Sequence, residues 1–197
     1  MFTGLVQELG TVQAIRRDRG LVRLMVYAPK TAAGLRAGES VAVNGACLSV
    51  VRVQQSACTF EMIPETQRLT TLGSLRAGAR VNVERSLTLS DRLNGHVVLG
   101  HVDGVGRIVR RRQRGPDVEL VIQLGKSLRR AVVPKGPIAL DGVSLTVGAR
   151  LTPTACPVYL IPETMHRTTL GFRRVGDRVN IEVDYLAKLM TQLLGRY

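Results

Sequence analysis

The 197 residues suffice for two compact domains of about 90 residues each, and 45% hydrophobic with 22% charged residues is the composition of a folded globular chain. The formal charge of +13 raises a nucleic-acid partner. The cations are scattered outside Arg107 to Arg114, Trp is absent, and four Tyr and three Phe are too few for a base-stacking platform, so the charge reads as a solvated arginine-rich surface.

The start of the chain, Met1-Phe2-Thr3-Gly4-Leu5-Val6, lacks the basic and apolar segments of a secretory signal. No apolar run reaches the roughly 20 residues that span a bilayer. Cys47, Cys58 and Cys156 show no CxxC spacing, which suggests neither a disulfide framework nor a thiolate zinc site. A cytoplasmic protein without membrane or nucleic-acid partners is therefore expected. Along the first half, short runs of Val, Ile and Leu alternate with Gly, Asn, Asp and Pro at spacings of roughly 10 residues, the pattern of a small antiparallel barrel or sandwich. Asn44-Gly45 predicts a tight turn with positive φ. In the strand after it, Leu48 and Val50 share one face while Cys47 and Ser49 share the other. Thr66 to Leu72 predicts one or two helical turns with Thr66 as N-cap, and Gly78 to Glu84 a closing strand.

After a short linker, Arg85 to Asn94, the same blocks return in the same order. Val43-Asn44-Gly45-Ala46-Cys47-Leu48-Ser49-Val50 recurs as Leu140-Asp141-Gly142-Val143-Ser144-Leu145-Thr146-Val147, and Ile63-Pro64-Glu65-Thr66 as Ile161-Pro162-Glu163-Thr164. Thr70-Thr71-Leu72-Gly73 recurs as Thr168-Thr169-Leu170-Gly171, and Gly78 to Glu84 as Gly176 to Glu182. Such a period dictates two similar all-β units in tandem, expected as barrels with short helical turns. The boundaries are 1–96, 97–184 and a terminal helix, 185–197. In that helix Leu186, Leu189, Met190, Leu193 and Leu194 form an apolar stripe behind Asp184 as cap. The stripe lies outside both repeats and is assigned to another copy of the chain, with docking onto its own barrel as the alternative.

The apolar face of each repeated strand fills its barrel. The small polar face, Cys47 and Ser49 in one half and Ser144 and Thr146 in the other, is left to line a cleft for a flat hydrogen-bonding ligand. Solvent-facing decoration is the plain alternative. His96 and His101 are five residues apart, which on a strand sends them to opposite faces, and His166 belongs to a different motif. No preorganised metal site is visible.

The blocks at Met1 to Val6, Asn44 to Val50, Gly95-His96 through Gly100-His101-Val102-Asp103-Gly104, and Asp141 to Val147 together resemble riboflavin synthase of the alpha-chain type, over essentially the whole chain. The resemblance makes each unit a six-stranded antiparallel Greek-key barrel. It also implies a homotrimer that converts two molecules of 6,7-dimethyl-8-ribityllumazine, both held at one active site, into riboflavin and 5-amino-6-ribitylaminouracil. It implies no metal or organic cofactor, and makes lumazine synthase a candidate partner. Dismutation of two identical molecules needs two copies of one surface, which two repeats supply, and holding both reactants near attack distance lowers the barrier by part of the roughly 7–11 kcal/mol available from proximity.

Residue by residue, the resemblance places Cys47, Ser40 and His101 in the catalytic cluster of the first barrel, where one lumazine is attacked at C7 by a thiolate, a hydroxyl or water, with His101 as proton carrier. Ser144 and Thr146 are their counterparts, and Phe2 is expected to stack on the heterocycle. Gly4, Leu5 and Val6 are grouped with Cys47, Leu48, Ser49, Glu61, Met62, Ile63, Pro64, Glu65 and Thr66 around one lumazine. Gly100, His101, Val102, Lys135, Ser144, Leu145, Thr146, Leu160, Ile161, Pro162, Glu163, Thr164 and Met165 are grouped around the other. Thr66 and Thr164 mark helix starts whose free N–H groups suit ring carbonyls or ribityl hydroxyls. The halves differ at Cys47/Ser144 and Ser40/Pro137, so binding is duplicated and the reactive groups are not. A non-catalytic lumazine- or flavin-binding protein on the same scaffold is the rival reading.

Overall fold

A computed structural model describes residues 1–18 and 20–195, and those residues fold as the duplicated sequence requires. In the first half β1 (Glu8–Asp18), β2 (Leu21–Tyr27), β3 (Ser40–Val43), β4 (Ala46–Gln54), β5 (Ala57–Met62) and β6 (Arg80–Arg85) close into an antiparallel barrel in the order β1-β2-β5-β4-β3-β6. The second half repeats this with β7 (Gly104–Arg114), β8 (Asp117–Gln123), β9 (Pro137–Leu140), β10 (Val143–Thr146), β11 (Ala155–Leu160) and β12 (Arg178–Val183), in the order β10-β9-β12-β7-β8-β11.

The second barrel is closed less completely. Its end strands meet at a single Val147–Val158 bridge, beside which Gly148 N–H donates to the Pro157 carbonyl at 2.8 Å. Pro157 has no N–H to return, which cuts the β10–β11 ladder short. Each barrel holds its own apolar core, one around Leu24, Phe60 and Met62 and the other around Leu120, Ile138 and Leu160.

Short helices connect the strands: α1 (Pro29–Ala32) and α3 (Lys126–Ala131), which each bury two residues, and α2 (Pro64–Leu69) and α4 (Pro162–Arg167), which bury none. The expected caps at Thr66 and Thr164 are not found. The caps lie three residues earlier, at Ile63 and Ile161, with Pro64 and Pro162 in the first turn. Proline's fixed φ and missing N–H suit the first helical position and outweigh the threonines' capping preference. Thr66 and Thr164 instead offer their carbonyls, which accept from both the backbone and the hydroxyl of Thr70 and Thr168.

The terminal helix α5 (Tyr185–Leu193) starts as expected, with the Asp184 carboxylate accepting from Ala187 N at 2.8 Å. Lys188 pairs with Asp103, tying the helix to the lead-in of β7. None of its residues is buried, and Leu186, Met190 and Leu193 face outward. A groove of about 740 Å³ separates it from the end of α3, lined by Arg130, Val133, Ala187, Met190, Thr191 and Leu194. The arginine cluster lies on the β7–β8 hairpin and has structural work: Arg107 and Arg111 donate to the carbonyls of Gly176, Leu170 and Gly171, and Arg110 and Arg114 flank Glu119 at 3.7 Å.

The barrels join about a pseudo-twofold axis at the two predicted turns. Asn44, Gly45, Asp141 and Gly142 all have positive φ (44°, 78°, 46° and 76°), and the glycines touch. A Cβ on Gly45 would lie 2.6 Å from Gly142 N, so neither position accepts a side chain. Around them, the Asn82 amide donates to the Asp141 carbonyl at 2.8 Å and accepts from Thr169 N at 2.7 Å. Asn180 donates to the Asn44 carbonyl at 2.7 Å and accepts from Thr71 N at 2.7 Å.

Candidate functional site

The site strands have the predicted phase. Leu48, Val50, Leu145 and Val147 are buried, Cys47 and Ser144 are half-buried, and Ser49 and Thr146 are exposed. Register extends each polar row across neighbouring strands: Cys47 pairs with Ala42 and Ala42 with Glu84, and likewise Ser144 pairs with Ala139 and Ala139 with Glu182. Directly paired residues share a face. Ser40 is opposite Ser49 on the same face as Cys47, whereas Pro137 is opposite Thr146.

Between the two rows run the chain start and the residues entering the second barrel. Phe2 and Val98 form an antiparallel bridge through hydrogen bonds of 2.7 and 3.1 Å. Phe2, Val98, Ala42 and Ala139 form a small buried cluster with Cys47 packed against it. Phe2 is 0% exposed, so its ring has no free face for a heterocycle; the expectation of a stacking aromatic gives way to a buried wedge. The two alanines leave room for it, which a larger side chain would fill.

The glycine segments cross over. Gly4 lies on Ser144, whose N–H donates to the Gly4 carbonyl at 2.8 Å, and Gly100 lies on Cys47, whose N–H donates to the Gly100 carbonyl at 2.9 Å. Both glycines have φ near +77° (76° and 78°), and a Cβ on either would sit 2.6 Å from the Cβ of Ser144 or Cys47. The structure thus brings Gly4, Leu5 and Val6 to the Ser144–Thr146 strand, and Gly100, His101 and Val102 to the Cys47–Ser49 strand, which is the reverse of the grouping carried over from the family resemblance.

The segments are anchored by two carboxylates. Glu84 accepts from Thr3 N at 2.7 Å, Thr3 Oγ1 at 2.8 Å and Gly4 N at 3.1 Å; Glu182 accepts from Leu99 N at 2.6 Å and Gly100 N at 3.0 Å. Burial pushes both carboxyl groups above the ordinary range, and these hydrogen bonds pull them part of the way back.

One functional candidate escaped sequence reasoning. His96 Nδ1 is 2.7 Å from Ser144 Oγ, and burial lowers the His96 pKa, opposed by the Asp184 carboxylate. A neutral imidazole against a serine hydroxyl can accept its proton. The sequence held no local signal for this pair, which is separated by 48 residues. His101 is exposed, next to Gly100 and so beside Cys47. Burial raises the thiols of Cys58 and Cys156 to about 11, which makes them poor nucleophiles.

Lys135 is exposed with φ 61°, at the place where the first repeat has Gly38 with φ 92°. Its N–H donates to the Val147 carbonyl at 3.0 Å, as that of Gly38 does to Val50 at 2.8 Å. A left-handed lysine costs on the order of 1–3 kcal/mol relative to a relaxed backbone, and the lysine stands beside the Ser144–Thr146 strand. Leu160, Ile161, Pro162, Glu163, Thr164 and Met165 connect β11 to α4, and Glu61, Met62, Ile63, Pro64, Glu65 and Thr66 connect β5 to α2. Ile161 and Ile63 are exposed in these connections, while Leu160 and Met62 are buried. Among the described residues no cluster of His, Cys, Asp or Glu is arranged to hold a metal ion.

A family model described as the lumazine binding domain matches the chain twice, at residues 3–86 and 99–184. Among curated relatives, riboflavin synthase of Mycobacterium tuberculosis is 43% identical over 198 residues, covering 98% of both chains. That of Escherichia coli is 39% identical over 186 residues, covering 93% of this chain and 87% of the relative. Of solved structures, LumP complexed with riboflavin superposes with a TM-score of 0.87 at 24% identity, over 93% of this chain and all (100%) of that one. LumP complexed with 6,7-dimethyl-8-(1'-D-ribityl) lumazine superposes with a TM-score of 0.84 at 23% identity, over 93% and 99%. The second likeness, like the first, is one of fold. With two matched lumazine-binding repeats and full-length relatives of this identity, the chain belongs to the riboflavin synthase family.

Proposed function

We propose that this chain catalyses the dismutation of two 6,7-dimethyl-8-ribityllumazine molecules, moving a four-carbon unit from one to the other to give riboflavin and 5-amino-6-ribitylaminouracil. The products together contain the atoms of the two substrates, so no oxidant or reductant is needed. The observation behind this reading is the doubled arrangement of a glycine segment laid over a strand with a reactive side chain, Gly100 on Cys47 and Gly4 on Ser144. Two copies of one surface suit two copies of one substrate, and the different reactive groups allow the copies different roles.

On the first surface Cys47, Ser40 and Ser49 present a thiol and two hydroxyls with His101 alongside. These are the groups to add at C7 of one lumazine and to move its protons. On the second, Ser144 is activated by His96, Thr146 adds a hydroxyl, and Lys135 adds a cation held by a strained backbone. The segments Glu61 to Thr66 and Leu160 to Met165 flank the ribityl chains. Phe2 acts as the wedge that sets the height of Gly100 above Cys47.

The site faces are open within one chain, and the exposed stripe of α5 offers the means of bringing a first surface against the second surface of another copy. The proposal therefore includes a cytoplasmic homotrimer, chain units at 1–96 and 97–184, an oligomerisation helix at 185–197, and lumazine synthase as a candidate partner. Incubation of the purified protein with 6,7-dimethyl-8-ribityllumazine should produce riboflavin absorbance, with two lumazines consumed per riboflavin formed. Stable lumazine binding without product would instead identify a non-catalytic lumazine- or flavin-binding protein.

A further inference from the structure

We infer that Glu84 and Glu182 are positioning residues that work across the barrel boundary, each holding the glycine segment that covers the other barrel's reactive side chain. The inference rests on the dismutation reading for its effect on turnover. Its structural part stands independently.

Within its own barrel each carboxylate is two strands from the reactive residue, Glu84 being separated from Cys47 by Ala42 and Glu182 from Ser144 by Ala139. At about 4.8 Å per strand the separation is roughly 10 Å, too far for contact. The path to the opposite barrel is much shorter. Glu182 accepts the N–H of Gly100 at 3.0 Å, and the carbonyl of the same Gly100 accepts the N–H of Cys47 at 2.9 Å. Glu84 accepts the N–H of Gly4 at 3.1 Å, and the Gly4 carbonyl accepts the N–H of Ser144 at 2.8 Å. One glycine residue therefore links each acid to the reactive residue of the other barrel.

The chemistry of the clamp requires a carboxylate. The segments present only donors at these points, and a carboxylate has acceptors alone, with enough lone pairs for all of them. A glutamine would turn an NH2 group toward an N–H and lose at least one bond. Burying an acid is costly, yet the cost recurs at matched positions in both repeats, next to the one residue type that can lie this close to Cys47 and Ser144.

The test compares Glu182→Gln with Glu84→Gln by the rate at which iodoacetamide alkylates Cys47, read by peptide mass spectrometry. Cys58 and Cys156 are buried and act as internal gauges of global opening. Glu182→Gln should raise Cys47 alkylation about fivefold over Glu84→Gln, the factor expected for one lost hydrogen bond, with Cys58 and Cys156 unchanged, and should lower riboflavin formation. Equal Cys47 rates in the two variants, or a rise shared by all three cysteines, would overturn the inference. If Glu182→Gln does not fold, Glu182→Asp, which retains the charge but withdraws it by one methylene, is scored in the same way. Absence of riboflavin formation in the unaltered protein would refute the dismutation reading, while the alkylation comparison would still decide the clamp.

Discussion

The two barrels share a backbone plan and differ where they meet. The second turn at the axis has Asp141 in an ion pair with Arg173 at 2.8 Å, whereas the first repeat has the uncharged Asn44 and Leu75 at the matching positions of the sequence. The first site has Cys47 and Ser40, where the second has Ser144, hydrogen-bonded to His96, and, in place of Ser40, Pro137. What was kept is the geometry that brings a glycine segment onto a strand; what was changed is the group beneath that glycine. In this molecule binding geometry and reactivity are set by separable residues.

The largest test of the shared geometry is Gly100→Ala. A left-handed alanine with its Cβ 2.6 Å from Cys47 combines backbone strain with overpacking. A loss of about 3 kcal/mol, and a melting temperature lower by on the order of 10 °C, is expected by calorimetry, with turnover falling more than a hundredfold. Gly4→Ala should match it, and a tolerated alanine at either position would break the symmetry between the two glycine segments.

Asp141→Asn tests the axis. Leaving Arg173 without its buried partner should cost about 3 kcal/mol in denaturant unfolding. The double variant Asp141→Asn, Arg173→Leu, which makes the second turn a copy of the first, should recover most of that loss. A double variant as weak as the single one would mean that the ion pair does more than fill the axis.

Cys47→Ser sharpens the difference in reactivity. Turnover should fall roughly tenfold, about 1.4 kcal/mol in barrier, while Cys58→Ser and Cys156→Ser, measured per folded molecule, should keep their rates. The smallest effect expected concerns His96. Its folded pKa is lowered by burial, so the unfolded chain binds the proton more readily and stability is lost as pH falls below the unfolded value of 6.5. His96→Gln should therefore flatten the decline in melting temperature between neutral and mildly acid pH.

Much of this was legible in the sequence because it is local. Strand phase at Leu48 and Val50, the positive-φ turns at Asn44 and Asp141, and the cap at Asp184 each depend on a few adjacent residues. The helix starts at Thr66 and Thr164 were misplaced because two local preferences competed and proline prevailed. The crossing of the glycine segments, the burial of Phe2 and the His96–Ser144 contact were invisible for a different reason. They depend on how two barrels dock, and no periodicity within either repeat records that.

The reciprocal asparagines at the axis constrain how such a molecule can change over time. Asn82 reads the main chain of the second barrel and Asn180 that of the first. Neither copy can lose its asparagine without leaving the other barrel's amides and carbonyls unpaired in a dry junction. After duplication the two halves were thus free to drift apart around these two asparagines, as Asn44 and Asp141 have done, and a single chain could acquire two chemistries while remaining one fold.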